Sequence, residues 1–563
     1  MTFKIICEDR DYKSWYVQKE LDNCVIELDI CPISNKLFHF DTFDISNNKC
    51  LLKHSSVRSM KQIPGILVLE NNKMFGKYKN KYLYKCIPDD KKIPCFIVPY
   101  EIKKVGFEKK YYNKYVLIKF EHWEQKHPFG IIQQVIGGVN QIEYFYEYQL
   151  YCKCLQTSIQ NFTKQTKNAL KVKSQEECFE HICNKNPNIK DRTNFNIFSI
   201  DSSTTTDYDD AMSIQEYDDY TVISIYISNV IVWLDALELW DSFAQRISTI
   251  YLPDRKRSML PAILSESLCS LKEKDKRFAF VIDFKIQNNE IISVDYDNCI
   301  VNLFKNFVYE ERALIKFKDY NSIKNILLPL SKKYKFLKSI NNSHDVVSYL
   351  MIMTNNYCAI KMSSHNNAIY RCVEVKKSKI SVLPDNLPDN VCTFIQVWNN
   401  TCGQYKHSNS NGHELLKLDY YIHITSPIRR IVDLLNMIIF MKNENLCFIS
   451  NDALNFYEKW INQLDYINTS MRAIRKVQID CSLLDLCINK KETLEKIYDG
   501  YIFDKIERND GLFLYSVYLP EIKMLSRIFT PCSKTNYDHE KFKLHLFVDQ
   551  DSLKKKIRLE MII

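Results

Sequence analysis

Four aspartates fall within ten residues: Asp201, Asp207, Asp209 and Asp210. The apolar run Phe198–Ile200 leads into Asp201, a hydroxyl-rich stretch fills 202–206, and a second apolar run starts at Ala211. Carboxylates packed this closely repel one another, and each resists burial without a counter-charge. A divalent cation removes that cost, and an all-oxygen donor set selects Mg²⁺ or Mn²⁺ over zinc. Because Mg²⁺ keeps waters and commonly binds substrate phosphate as well, the chemistry indicated is phosphoryl chemistry. An EF-hand starting at Asp207 would need glycine at its sixth position and glutamate at its twelfth, where this chain has Met212 and Asp218. A glycosidase pair would not need four acids so tightly packed. On spacing alone, an exposed acidic turn stays open as the alternative.

The elements that must hold these residues can be read around them. From about 197 the chain begins with strands and turns strongly helical after about 310; Val346, Val347, Leu350, Met351 and Met353 fall near helical spacing within Asp345–Met362. Upstream, runs beginning at Gly65, Lys81, Cys95 and Tyr115 are rich in β-branched and aromatic residues and are separated by turn-forming clusters, which predicts a small OB-type barrel. Lysine and tyrosine interleave there (Lys77, Tyr78, Lys79, Lys81, Tyr82, Tyr84, Lys85), a pattern suited to phosphate contact and base stacking or, alternatively, to a solvated strand face. Strand-like runs return after 492 and end in a basic tail, a second barrel candidate.

Composition bounds the rest. The chain has 563 residues, 77 Lys and Arg against 68 Asp and Glu, hence a net charge of +9, and 46% apolar residues. That is enough for several domains and excludes a disordered chain. Only 10 glycines are present, with no GxGxxG and no GxxxxGK[ST], so nucleotide-cofactor folds lose their support. The 20 cysteines are scattered, with Cys152 and Cys154 the one close pair, which points to free thiols in a reducing, cytoplasmic setting. The longest apolar stretch, Ile223–Leu234, is too short to span a bilayer.

The segment Ser199-Ile200-Asp201 through Asp207-Tyr208-Asp209-Asp210-Ala211 resembles the signature of the RNB catalytic domain of the ribonuclease II and exosome-associated exoribonuclease family. Three further stretches are similar to family motifs in the same order: Arg246–Arg255 with Met259-Leu260-Pro261 and Leu264–Leu271, then Val308–Glu311, then His423–Arg430. The resemblance covers roughly 197–440. It implies an α+β RNB catalytic domain flanked by small all-β barrels: a degenerate OB-like region at 1–58, an OB or cold-shock-like domain at 59–150, a connector at 151–195, the catalytic domain at 196–488 and an S1-like barrel at 489–563. It also implies a 3′-to-5′ exoribonuclease that hydrolyses single-stranded RNA to nucleoside 5′-monophosphates, acting as a monomer without a membrane or nucleotide cofactor.

By the same resemblance, Asp201, Asp207, Asp209 and Asp210 surround Mg²⁺ (or Mn²⁺) and the scissile phosphate, with Asp209 either a second metal ligand or a water-orienting carboxylate. Arg429 neutralises charge on the phosphate. Tyr251 and Tyr309 stack on bases near the 3′ end, and Arg430 serves as an ion-pair partner and RNA contact. The chain departs from the family pattern at Asn229, Ile247, Ile431, Met437 and Ile438, at Ser348 or Tyr349 where an acid is expected, and near Ala473–Val477 where a glutamate is missing. These departures support the alternative of an RNB-like protein that binds RNA without cutting it. Such divergence with so little glycine fits an AT-rich source such as a large DNA virus.

Overall fold

The computed structural model describes residues 2–47, 49–71, 73–102, 111–336, 339–374, 383–384, 386–399, 403–407 and 412–562. The chain forms two compact units, one built from 1–156, 252–254 and 476–563, the other from 157–251 and 255–475.

The first unit is made largely of β-sheet. Its N-terminal sheet is a row of antiparallel strands in the order Val25–Ile26, Trp15–Lys19, Thr2–Cys7, Thr42–Ser46, Lys49–His54. Alternation buries Ile5, Cys7, Val17 and Phe43 on one side, as a half-buried sheet requires. A second sheet closes on itself: Ile63–Leu67 pairs with both Lys114–His122 and Lys81–Pro88, while Phe96–Tyr100 runs parallel to Phe129–Gly138. Five strands closed in this way form an OB-type barrel. The interleaved lysines and tyrosines divide: Tyr84 enters the core, whereas Tyr78 and Tyr82 are exposed, with Lys79 and Lys77 over their rings.

The last sheet has five antiparallel strands ordered Met524–Thr530, Phe513–Leu519, Ile497–Glu507, His539–Val548, Lys555–Ile562. Its core is Tyr498, Ile502, Val517, Phe542 and Leu544. Gly500 is buried there because a Cβ would lie 2.5 Å from the Phe542 ring and 2.7 Å from Leu519.

The second unit is organised on a sheet ordered Lys190–Asp191, Glu290–Val308, Ile197–Asp201, Asp210–Glu216, Thr221–Ser228, Lys276–Gln287. The long strand Glu290–Val308 pairs at one end with Lys276–Gln287 and at the other, in parallel, with Ile197–Asp201, so this sheet is also closed. The apolar run Ile223–Leu234 divides into the strand Thr221–Ser228 and the buried helix Val230–Ala236. Arg192 pins the chain to this sheet by a two-pronged bond to Asp283, at 2.8 and 2.5 Å, and Ser224 donates to the same carboxylate at 2.7 Å. The helices Lys318–Lys333, Ser343–Met362 and Ile431–Asn443 follow. Among the described residues, no helix is long and apolar enough to cross a membrane.

Replacing Gly500 with alanine overpacks the C-terminal barrel, at a cost of about 1–3 kcal/mol. Amide hydrogen exchange in His539–Val548 is expected to accelerate selectively; exchange at the wild-type rate would contradict this packing.

Candidate active site

Asp201 ends the strand Ile197–Asp201, and Asp210 begins the strand Asp210–Glu216, so the sheet brings the two ends of the acidic loop together. Four hydrogen bonds hold the loop between them. The Tyr208 amide donates to Ser270 Oγ at 2.9 Å, and Ser270 Oγ donates to the Thr206 carbonyl at 3.2 Å. The Leu271 amide donates to the Tyr208 carbonyl at 3.0 Å, and the Ser228 amide to the Asp209 carbonyl at 2.8 Å. The segment Leu268–Leu271 thus acts as a splint for the acidic loop.

The four carboxylates have different partners. Asp207 is buried, and its Oδ1 takes a 2.8 Å ion pair from Lys256, which also reaches Glu266 at 2.9 Å. Asp209 is 3% exposed. Its Oδ1 accepts from the Ile428 amide and its Oδ2 from Arg429 Nε, both at 2.9 Å. Burial raises the Asp209 carboxyl to about 7 despite Arg429 beside it. Asp201 and Asp210 have no ion pair among the described residues. Burial, followed by repulsion from neighbouring carboxylates, moves both well above the ordinary carboxylate range. Asp201 Oδ2 and Asp207 Oδ2 are buried without a hydrogen-bond partner.

The four carboxylates therefore divide into two pairs. Among the described residues, no three His, Cys, Asp or Glu side chains are grouped so that they could hold one metal ion. What the fold presents is the pair Asp201 and Asp210, with Asp207 and Asp209 each neutralised by a cation. Mg²⁺ is commonly held by one or two carboxylates together with substrate phosphate, so this pair and the orphaned Asp201 oxygen fit such an ion.

Arg429 is partly open, with 44% of its side chain exposed. Its NH2 group donates to Ser426 Oγ at 3.0 Å, and its carbonyl accepts from the Thr249 amide at 2.9 Å. Arg430 is held at 2.8 Å by the fully buried Asp433, which also accepts from the Ser426 amide. Asn355 Oδ1 accepts from the Ile424 amide, so the Ser343–Met362 helix fixes the approach to this loop. Tyr251 is 42% exposed, within electrostatic reach of Arg429, Asp207 and Asp209. Tyr309 donates its amide to the Asp201 carbonyl at 2.9 Å, and one face of its ring is covered by His344, centroid to centroid 3.6 Å.

Lys256, Asp433 and the Ile428 amide were not anticipated from the sequence. Lys256 stands one residue beyond the Arg246–Arg255 motif, and nothing in its local pattern distinguishes it from the other lysines.

Residues 189–331 match the family model for the RNB domain, and 83–147 match that for the Dis3-like cold-shock domain 2. Ribonuclease R of Chlamydia pneumoniae is 27% identical over 327 residues, which is 46% of this chain and 48% of the relative. The chain spans about half the length of the curated relatives it matches. Among solved structures, Mycoplasma genitalium RNase R in complex with ribose methylated single-stranded RNA superposes over 100% of both chains with a TM-score of 0.70 at 14% identity. Yeast Ssd1, described as a pseudonuclease, superposes over 94% of this chain and 78% of its own, with a TM-score of 0.60 at 12% identity.

Lys256→Ala leaves Asp207 and Glu266 without their shared cation, and the variant is expected to lose about 1–3 kcal/mol of stability. Added Mg²⁺ should raise its melting temperature more than that of the wild type, because the freed Asp207 becomes a ligand. Equal Mg²⁺ responses would show that Asp207 lies out of reach of the ion.

Proposed function

The chain carries an RNB domain behind a Dis3-like cold-shock domain, and we propose that it is a Mg²⁺-dependent exoribonuclease that hydrolyses single-stranded RNA from the 3′ end to nucleoside 5′-monophosphates. The observation that carries this reading is the pair Asp201 and Asp210, the two acids of the site with no cation of their own. They would hold the ion together with a phosphate oxygen of the RNA, and Asp207 and Asp209 would join only by giving up Lys256 and Arg429. When bound, the ion supplies Lewis-acid polarisation of the phosphoryl oxygens and a lowered pKa for its water.

The chain's own groups would do the remaining work. Asp209 orients Arg429 by fixing Nε, which leaves the partly exposed end of the guanidinium to meet charge developing on the phosphate. The Ile428 amide holds the opposite oxygen of Asp209, so carboxylate and arginine are preorganised before substrate arrives. Tyr251, exposed beside them, offers a ring to a base without regard to sequence, which suits degradation. The closed OB-type barrel, with exposed Tyr78 and Tyr82 among lysines, would also contact single-stranded RNA.

A second reading, RNA binding without cleavage, is favoured by Lys256 seated on Asp207 and by the absence of the expected acid at Ser348 or Tyr349. The likeness to Ssd1 is compatible with it.

An oligoribonucleotide labelled at its 5′ end separates the two. A ladder shortening from the 3′ end in Mg²⁺, abolished by chelator and reduced at least about a hundred-fold by Asp210→Asn or Asp209→Asn with RNA binding retained, is the expected result. Binding without shortening by the wild-type chain would establish the second reading.

A further inference from the structure

The first unit holds a cavity of about 380 Å³ that nothing derived above uses. Two helices and two strands line it. The helix Ile142–Cys152 contributes Phe145 and Gln149, one turn apart on its buried side. Tyr146 of the same helix donates to Asp485 at 2.6 Å, which ties it to the C-terminal half of the helix Leu464–Asn489. That half brings Lys476, Asp480 and Leu484 to the cavity at intervals of four. Two edge strands of the C-terminal sheet complete the lining, with Met524 from Met524–Thr530 and with Lys555 and Ile557 from Lys555–Ile562.

One residue of this lining does not behave as core. Gln149 is 8% exposed, and its side-chain amide has no hydrogen bond among the described residues. A buried amide without a partner costs free energy, and leucine would fill the same space without that cost. The cationic side chains divide in a similar way. Lys554 is paired with Asp89 and lies over the Tyr148 ring at 5.0 Å, and Lys556 is paired with Asp549. Lys476 and Lys555 line the cavity with no ion pair among the described residues. One acid is set among them, Asp480, within electrostatic reach of Lys476 one turn away.

We propose that this cavity binds a nucleoside monophosphate. Each part of the lining has a counterpart in that ligand. Phe145, Met524 and Ile557 offer an apolar wall to a base. The Gln149 amide offers one donor and one acceptor to the base edge, as glutamine does to N6 and N7 of adenine. Asp480 accepts from ribose hydroxyls, and Lys476 and Lys555 meet the phosphate. Inorganic phosphate would use the two lysines and leave Gln149 stranded, whereas an apolar molecule would leave both lysines and the amide unused. A cavity of this size holds one nucleotide and not a strand. Such a ligand is also the class of product that the proposed hydrolysis releases. Its binding here requires no catalysis, and the carboxylate site lies in the second unit.

The test is a calorimetric titration of the full chain with AMP, in chelator so that no ion bridges phosphate to the carboxylate pair. One site is expected, with inorganic phosphate at least about ten-fold weaker because it reaches neither the amide nor the apolar wall. Gln149→Leu should weaken AMP binding about ten-fold, leave phosphate binding unchanged and raise the melting temperature of the unliganded chain, since the stranded amide is gone. Lys555→Met should weaken AMP and phosphate alike. Asp210→Asn, in the carboxylate site, should bind AMP as the wild type does. Undiminished AMP binding in Gln149→Leu, phosphate binding as tight as AMP binding, or no AMP binding at millimolar concentration would each overturn the proposal. So would loss of AMP binding in Asp210→Asn, which would put the nucleotide in the carboxylate site. A single-stranded oligoribonucleotide that displaces AMP and depends on Gln149 more strongly than AMP does would assign the cavity to a strand instead. A chain that shortens RNA but binds no AMP in chelator would leave the exoribonuclease reading standing and remove this one.

Discussion

Negative charge confined to a small, largely buried volume is the constraint around which the second unit is arranged. Asp201, Asp207, Asp209 and Asp210 lie close together; the last three are buried, and burial with repulsion between neighbouring carboxylates pushes Asp201, Asp209 and Asp210 up. In a medium of low polarity, such a group persists only if each charge is matched or left protonated. Lys256 matches Asp207 and Arg429 matches Asp209, while Asp201 and Asp210 share no cation and rise together. Under the proposed function, this bare pair is where a cation arriving with substrate would bind. A fully neutralised cluster would have no use for one.

The surrounding elements explain how such a cluster survives folding. The closed sheet of the second unit fixes Asp201 and Asp210 at neighbouring strand ends, where the backbone is committed to ladder pairing and cannot relax outward. The Leu268–Leu271 splint supplies Ser270 Oγ and a backbone amide to a loop that would otherwise strand its polar groups. From the other side, Asp433 sits at full burial beneath the Ile424–Arg430 loop, binding both the Ser426 amide and Arg430. Arg430 is thus committed to holding the loop, and Arg429, its neighbour, remains free enough to face solvent.

The departures from the family pattern fall into two physical kinds. Ile431 and Met437 are buried on the Ile431–Asn443 helix, so these changes are accommodated as apolar packing. Asn229 is buried and donates through Nδ2 to Asn298 Oδ1 at 3.1 Å, an amide pair in a position that a charge would find expensive. Ser348, by contrast, is exposed on the Ser343–Met362 helix one turn beyond His344. The acid expected at Ser348 or Tyr349 is replaced either by this exposed hydroxyl or by the buried ring of Tyr349.

Much of this protein was legible in the residues themselves. The four aspartates, the ordered motifs and the alternation of the barrel strands are local features, set by side-chain chemistry and by the two-residue and 3.6-residue periods of the backbone. So were the strands on either side of the acidic loop, because apolar runs bounded by turn-forming residues have few other conformations open to them. The division of labour among the acids was not legible. Which carboxylate meets Lys256, which meets Arg429 across 220 positions of chain, and which pair is left bare depend on contacts between residues far apart in sequence. The stack of His344 on Tyr309 is of the same kind, its members 35 positions apart and brought together by one helix cap and one glutamate. Local order can name the charged groups, but only the closed sheet and the helices packed on it decide the distances between them, and electrostatic energy depends on distance.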